Sequence, residues 1–215
     1  MEVQKPNYLF SKQLKQVKVI SKNNVNNIVG EARLEKMKGG SKIIPIVTYV
    51  VKSFPLNYSL IDKQNNELGF TSLHLYSSKE NKIYGVDYEY SKFPGAVYVE
   101  DMYSSADGYV GIGNALHEIA VNISKNAGYS GRVLLDAEKS SHIFHYKFGF
   151  RSLGERCYIR DESIENEIEK AERKIQKGII SSMKDHDTSH LSPIPMYLPE
   201  EIIRTIVNRT QVVFY

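Results

Sequence analysis

Three glycines, Gly108, Gly111 and Gly113, stand where the run VYVEDMY (97–103) gives way to a helical pattern, in the stretch SADGYVGIGNALHEIA. A helix start carries unpaired backbone N–H groups and a partial positive charge, which makes it a natural seat for a phosphate. Glycines let the backbone approach an anion with no Cβ in the way and permit left-handed dihedrals, so several N–H groups can converge on a diphosphate. The plain alternative is a tight turn and nothing more. Two familiar nucleotide loops fit poorly. A P-loop ends in Gly-Lys-Ser/Thr, whereas Gly113 is followed by Asn114 and Ala115. A dinucleotide fingerprint opens the first βαβ unit, with an acidic residue about twenty positions on. Here the turn lies mid-chain, and Asp136 arrives without a clear ribose-binding strand end.

The elements around this turn follow from periodicity. Ile112, Leu116, Ile119, Ala120 and Ile123 recur at three and four, which predicts an amphipathic helix over 111–125 ending near Gly128. Before it, VYVEDMY reads as a strand with Val97, Val99, Asp101 and Tyr103 on one side and Tyr98, Glu100 and Met102 on the other. RVLLDAE (132–138) is mostly apolar, as expected of a central strand. A helical piece over 140–148 runs into Gly149, and 150–159 returns as strand or hairpin. Upstream, LNYSLI (56–61) and LGFTSLHLY (68–76) flank a polar DKQNNE loop and predict a hairpin. Residues 43–51 read as a strand by their β-branched content, and YGVDYEY (84–90) is a tyrosine-rich stretch ahead of the SKFPG turn. Residues 8–20 and 22–37 read as helices, the second with Val25, Ile28, Val29 and Ala32 on one face and Gly39–Gly40 closing it. Ile164, Ile168, Ala171, Ile175 and Ile179 give a long striped helix over 161–180. The proline-containing tail holds a short helix at 199–207 and an apolar end expected to tuck in. The fold class expected is α/β (α+β): one domain with a mixed sheet covered by helices and parallel character at the two crossovers. Its parts are a basic helical segment (1–42), a core (43–160) and a helical C-terminal extension (161–215).

With this order of elements, residues 97–150 resemble the GCN5-related N-acetyltransferase superfamily. That family's cofactor turn, Arg/Gln-x-x-Gly-x-Gly/Ala, is matched by Gly108-Tyr109-Val110-Gly111-Ile112-Gly113, and its later Phe-Tyr-x-Lys-x-Gly-Phe signature by Phe144-His145-Tyr146-Lys147-Phe148-Gly149-Phe150. Two positions depart from the pattern: Gly108 replaces the usual Arg/Gln, and His145 the usual Tyr, with Tyr146 one place later. The resemblance implies an acetyl-CoA-dependent transfer to a primary amine, of a polyamine-like molecule or of a protein lysine or N-terminus. It implies acetyl-CoA lying where two central strands splay apart. Its pantetheine arm would bond to the backbone of Met102, Tyr103 and Ser104, and its pyrophosphate to N–H groups from Tyr109, Val110, Gly111, Ile112, Gly113 and Asn114. A longer acyl-CoA, or an inactive fold serving as a CoA-binding or protein-interaction module, remains the alternative.

Acetyl transfer needs a neutral amine at the thioester and a proton for the leaving thiolate. Glu100 and Asp101 are the carboxylates placed to take the amine proton. Adjacent on a strand, they are expected to face opposite ways, so that only one reaches the cleft. A structural role, paired to a lysine or a backbone N–H, is the competing reading. His145, with an ordinary pKa near 6.5, suits proton donation near neutrality; Tyr146 is its rival, and simple packing is the alternative for His145. His117, beside Glu118, reads as surface, and His142 as less well placed. Asp87, Tyr88, Glu89 and Tyr90 would either line an amine cleft or decorate an exposed hairpin.

Composition narrows the rest. A chain of 215 residues with 41% hydrophobic and 25% charged residues suits one ordinary globular domain. The net charge of +3 is too small to argue for nucleic acid. Lys12, Lys15, Lys18 and Lys22 read as a solvated helical face or an amphipathic helix on an acidic surface. Cys157 is the one cysteine, which excludes an intrachain disulfide and predicts a buried strand thiol rather than an acyl carrier or a zinc ligand. No apolar run reaches membrane-span length, and the start MEVQKPNYLFSK lacks a signal peptide's apolar core, so a cytoplasmic address is expected. Family habit and the striped helix point to a homodimer.

Overall fold

The computed structural model describes residues 28–36, 41–49, 56–62, 64, 66–77, 95–105, 108–153, 162–180, 188–191, 193–207 and 212–214. The expected helix at 8–20, the tyrosine-rich stretch at 84–90 and Cys157 lie outside them. The strands are β1 (Ile28–Lys36), β2 (Ser41–Tyr49), β3 (Leu56–Ile61), β4 (Glu67–Ser77), β5 (Gly95–Ser104), β6 (Tyr109–Val110), β7 (Val133–Ala137), β8 (Arg151–Ser152), β9 (Ile194–Tyr197) and β10 (Val212–Phe214). The helices are α1 (Ile112–Asn126), α2 (His142–Phe148), α3 (Glu162–Gln176) and α4 (Glu200–Val207). Among the described residues these strands make one mixed sheet in the order β10-β1-β2-β3-β4-β5-β7-β9-β8, with β6 also paired to β1.

The β3–β4 hairpin and the α1 crossover form as their patterns predict, and β5 and β7 pair in parallel across that crossover. The expected helix over 22–37 is corrected: Ile28–Lys36 is a strand. Small or apolar Gly30, Ala32 and Leu34 are buried, while Arg33 is exposed, a period of two that the helical reading of Val25, Ile28, Val29 and Ala32 competed against. Sheet pairing on both sides of β1 decides in favour of the strand.

The second crossover also departs from expectation. β8 does run parallel to β7, but β9 from the proline-containing tail lies between them, antiparallel to both. Pro195 argues locally against an internal strand, because it has no N–H for the ladder. Its carbonyl nevertheless accepts the Leu153 N–H at 2.9 Å.

One main core lies between the helices and one sheet face. Leu34, Leu60, Leu73, Val97, Val99 and Leu135 meet Leu116 and Ile119 of α1, Ile143 of α2, Ile168 and Ile175 of α3, and Ile203 of α4. Ala96, Tyr98, Leu134 and Leu153 form a smaller cluster on the opposite face. Burying so many Leu and Ile side chains, each worth about 1.5–3 kcal/mol, holds β5 and β7 rigidly where they come together. No helix among the described residues is long and apolar enough to cross a membrane.

Candidate functional site

The parallel ladder between β5 and β7 is short: it pairs Val97 with Val133, Tyr98 with Leu134 and Val99 with Leu135, and then stops. β5 carries on to Ser104 and β7 to Ala137 without pairing to each other. On its other side β5 contains a bulge, because Leu73 pairs with Val99 while Ser72 pairs with Asp101, leaving Glu100 as the extra residue. A bulge bends its strand and strengthens the local twist, so it swings β5 away from β7 at this point.

The bulge also resets the alternation of side chains. Val97 and Val99 belong to the main core, and Met102 packs against that same core. Tyr98 lies on the other face with Glu100, whose Oε2 accepts the Ser72 hydroxyl at 3.0 Å and lies 2.8 Å from His74 Nε2. Tyr103 stacks on Phe70 at 5.7 Å on that side too. The expected grouping of Val97, Val99, Asp101 and Tyr103 is therefore corrected, and so is the expectation that Glu100 and Asp101 face opposite ways. Both carboxylates line one cavity of about 640 Å³ between the parted strands, together with Tyr98, Asp136, Glu138 and Lys139. Among the described residues the Asp101 carboxylate accepts no hydrogen bond; only its backbone carbonyl does, from the Thr71 hydroxyl at 3.2 Å.

A second cavity, of about 260 Å³, lies between β5 and the first turns of α1 and α2. Met102, Tyr103, Ser104, Gly113, Phe144 and His145 line it. Met102, Ser141 and His145 border both spaces. Four of the expected cofactor residues, Met102, Tyr103, Ser104 and Gly113, thus gather at one cavity. The remaining six do not border either space. Tyr109 and Val110 pair with Lys36 and Glu35 at the end of β1, which anchors the glycine turn to the strand that the sequence read as a helix. Ile112 is buried in the core, while Gly108 and Asn114 are exposed. Gly111 caps α1 in the left-handed region, φ 93°, where a Cβ would be strained. Neither a side-chain cap nor an acidic residue occupies the first turn of α1, so its N–H groups at Ile112, Gly113 and Asn114 are suited to an anion.

Of the two acid candidates only His145 borders the cavities. Tyr146 is buried toward α3, with the Arg151 guanidinium 4.4 Å from its ring centroid. Burial raises its phenol pKa, while nearby Arg151 pulls the other way. His145 Nδ1 lies 3.0 Å from Nε2 of His117, which is fully buried among Phe144, Phe148 and Phe150. The surface reading of His117 is corrected; its neighbour Glu118 is buried too and accepts the Val212 N–H at 3.1 Å. The helix α1 packs on the sheet, including β10, and His117 meets the aromatic rings of α2. Burial, and then the neighbouring His142, push the His145 pKa down to about 3. Burial and His145 hold His117 well below its usual value. His145 is thus uncharged near neutrality and is not the imidazolium acid expected of a pKa near 6.5. His142 is also buried, its Nε2 3.3 Å from Glu172 of α3.

Sequence reasoning missed His74, the partner of Glu100, and the group Asp136, Glu138 and Lys139 across the gap. His74 alternates with the core residues Leu73 and Leu75 and so lies on the other face of β4, where only the register with β5 makes it a partner of Glu100; the Asp136 group becomes a site only once β5 and β7 part. Among the described residues no group of His, Cys, Asp and Glu is arranged to hold a metal ion.

No family model matches the sequence, and no curated protein matches it. A solved structure described as the crystal structure of a bacterial toxin is similar over 73% of this chain and 74% of its own, at 16% sequence identity and a TM-score of 0.42.

Proposed function

We propose that the chain is an acetyl-CoA-dependent N-acetyltransferase of the GCN5-related type, moving an acetyl group directly to a primary amine. The acceptor is a polyamine-like small molecule or a protein lysine or N-terminus. The observation that carries this reading is the parting of β5 and β7 beyond Val99 and Leu135, with cavities that run from the gap to the uncapped start of α1.

Met102, Tyr103, Ser104 and Gly113, which border the smaller cavity, are the residues that support a place for the group. When bound, acetyl-CoA supplies an acetyl thioester that is activated toward amines. The backbone of Met102, Tyr103 and Ser104 would hold the pantetheine arm, and the first-turn N–H groups of α1 the pyrophosphate. Asp101, with its carboxylate unengaged, takes the proton that the amine must lose, directly or through water. Glu100, fixed by Ser72 and His74, adds negative charge that favours a cationic acceptor. As the new C–N bond replaces the C–S bond, the amine's proton ends on sulfur, giving amide and free thiol.

One observation favours a second reading. Tyr146 packs away from the cavities and His145 is uncharged, so neither is a charged acid there, as in a fold that binds CoA without turnover. Calorimetry with acetyl-CoA and CoA, followed by a thiol-release assay over a panel of amines, separates the outcomes. Saturable binding with thiol release supports the enzyme; binding without release, unchanged by Glu100→Gln, supports the module; no binding overturns both.

A further inference from the structure

The buried contact between His117 and His145 holds a single hydrogen between two imidazoles, so the proton position of one ring dictates that of the other. His117 has one further nitrogen, Nδ1, which is fully buried and has no hydrogen-bond partner among the described residues. Two arrangements are open to the neutral pair. If His117 carried its proton on Nδ1, a buried N–H would be orphaned, and Nε2 would accept from His145. If it carries the proton on Nε2, the orphan is a lone pair. Orphaned buried N–H groups are the rarer case in folded proteins, and leaving one unmade costs about 1–3 kcal/mol.

We propose that His117 donates its Nε2–H to His145 Nδ1 and thereby fixes His145 as the Nε2–H tautomer, an uncharged hydrogen-bond donor to the cavity between the parted strands. With Nδ1 engaged, Nε2 is the ring nitrogen of His145 left for the two cavities it borders. His117 is then a positioning residue: it touches no ligand and acts through His145. The aromatic rings of Phe144, Phe148 and Phe150 around His117 hold its ring plane, which keeps the hydrogen bond aimed. Burial keeps both rings neutral, so the donor persists unchanged across the physiological range. Such a donor suits an oxygen or sulfur that gains negative charge, since an uncharged N–H stabilises it without giving up its proton. That catalytic role rests on the acyl-transfer reading; the tautomer does not.

The test is long-range proton–nitrogen NMR on the full chain labelled with ¹⁵N-histidine, with no ligand present. The wild-type His145 should show a protonated Nε2 and a bare Nδ1 at pH 7. His117→Gln, whose amide can still donate, should retain that pattern, and His117→Leu should lose it to a mixture of tautomers. A protonated Nδ1 in the wild type, or a pattern unchanged in His117→Leu, overturns the proposal. Should His117→Leu fail to fold, the wild-type spectrum and His117→Gln still decide. Absence of acetyl-CoA binding in a separate titration would remove the acyl-transfer reading and leave the tautomer result standing.

Discussion

Gly113 of α1 lies directly against the ring of Phe144 in α2, so that a Cβ added at Gly113 would run into the end of that ring. The two motifs singled out in the sequence are therefore joined by one packing contact, and the third glycine of the turn is required by an aromatic neighbour rather than by an anion alone.

Gly113→Ala should destabilise the fold by up to about 2 kcal/mol, the overpacking cost of about 1–3 kcal/mol less the roughly 1 kcal/mol of helix propensity that alanine gains over glycine. Urea unfolding measures it. Adding Phe144→Leu should recover part of the loss, and strictly additive effects would mean that the two positions are not coupled.

The buried histidines predict a pH dependence. In the unfolded chain both rings take up a proton near pH 6.5. In the folded chain His145 takes one only near pH 3, and His117 well below 6.5. Between these values the unfolded state binds more protons, so this stability is complete above pH 6.5 and is lost as the pH falls, by about 1.4 kcal/mol per unit for each ring. Urea titrations at pH 7.5, 6.5 and 5.5 should show the decline, and His145→Gln should remove one proton's share of it. An equal slope in that variant would assign the titration to other groups.

Asp101 and Glu100 should separate by what each change costs. Asp101→Asn leaves stability within about 0.5 kcal/mol, as expected of an exposed side chain whose carboxylate accepts no hydrogen bond among the described residues, but on the acetyltransferase reading lowers kcat/KM by about 10²–10⁴-fold. Glu100→Ala releases Ser72 and His74 and should cost about 1 kcal/mol of stability. Full activity in Asp101→Asn together with inactivity in Glu100→Gln would transfer the base role to Glu100.

Glu118 ties α1 to β10 through the Val212 N–H. Glu118→Leu should abolish the hydrogen-exchange protection of the Val212 amide, at a cost of about 1–3 kcal/mol, whereas Glu118→Gln, which keeps an acceptor oxygen, should preserve most of it. Protection unchanged in Glu118→Leu would show that β10 is held by its pairing with β1 alone.

The elements that frame the site were legible because they are built from local pattern. The 3.6-residue recurrence from Ile112 to Ile123, the β3–β4 hairpin, and the place of Gly111 at a strand-to-helix junction follow from residues close in the chain. What the tertiary structure decided depends on partners far away in sequence. β1 became a strand through pairing with β2 and β10, and β9 entered the sheet despite Pro195. The extra residue Glu100 is visible only against the register of β4, yet it puts both carboxylates on one cavity. Tyr146 and His145 are neighbours in the chain, but the docking of α3 on one side and of α1 on the other gave them opposite surroundings. Chain periodicity sets which face of an element is apolar; the register between strands and the packing of helices set what each polar group meets, and with it whether His145 carries a charge.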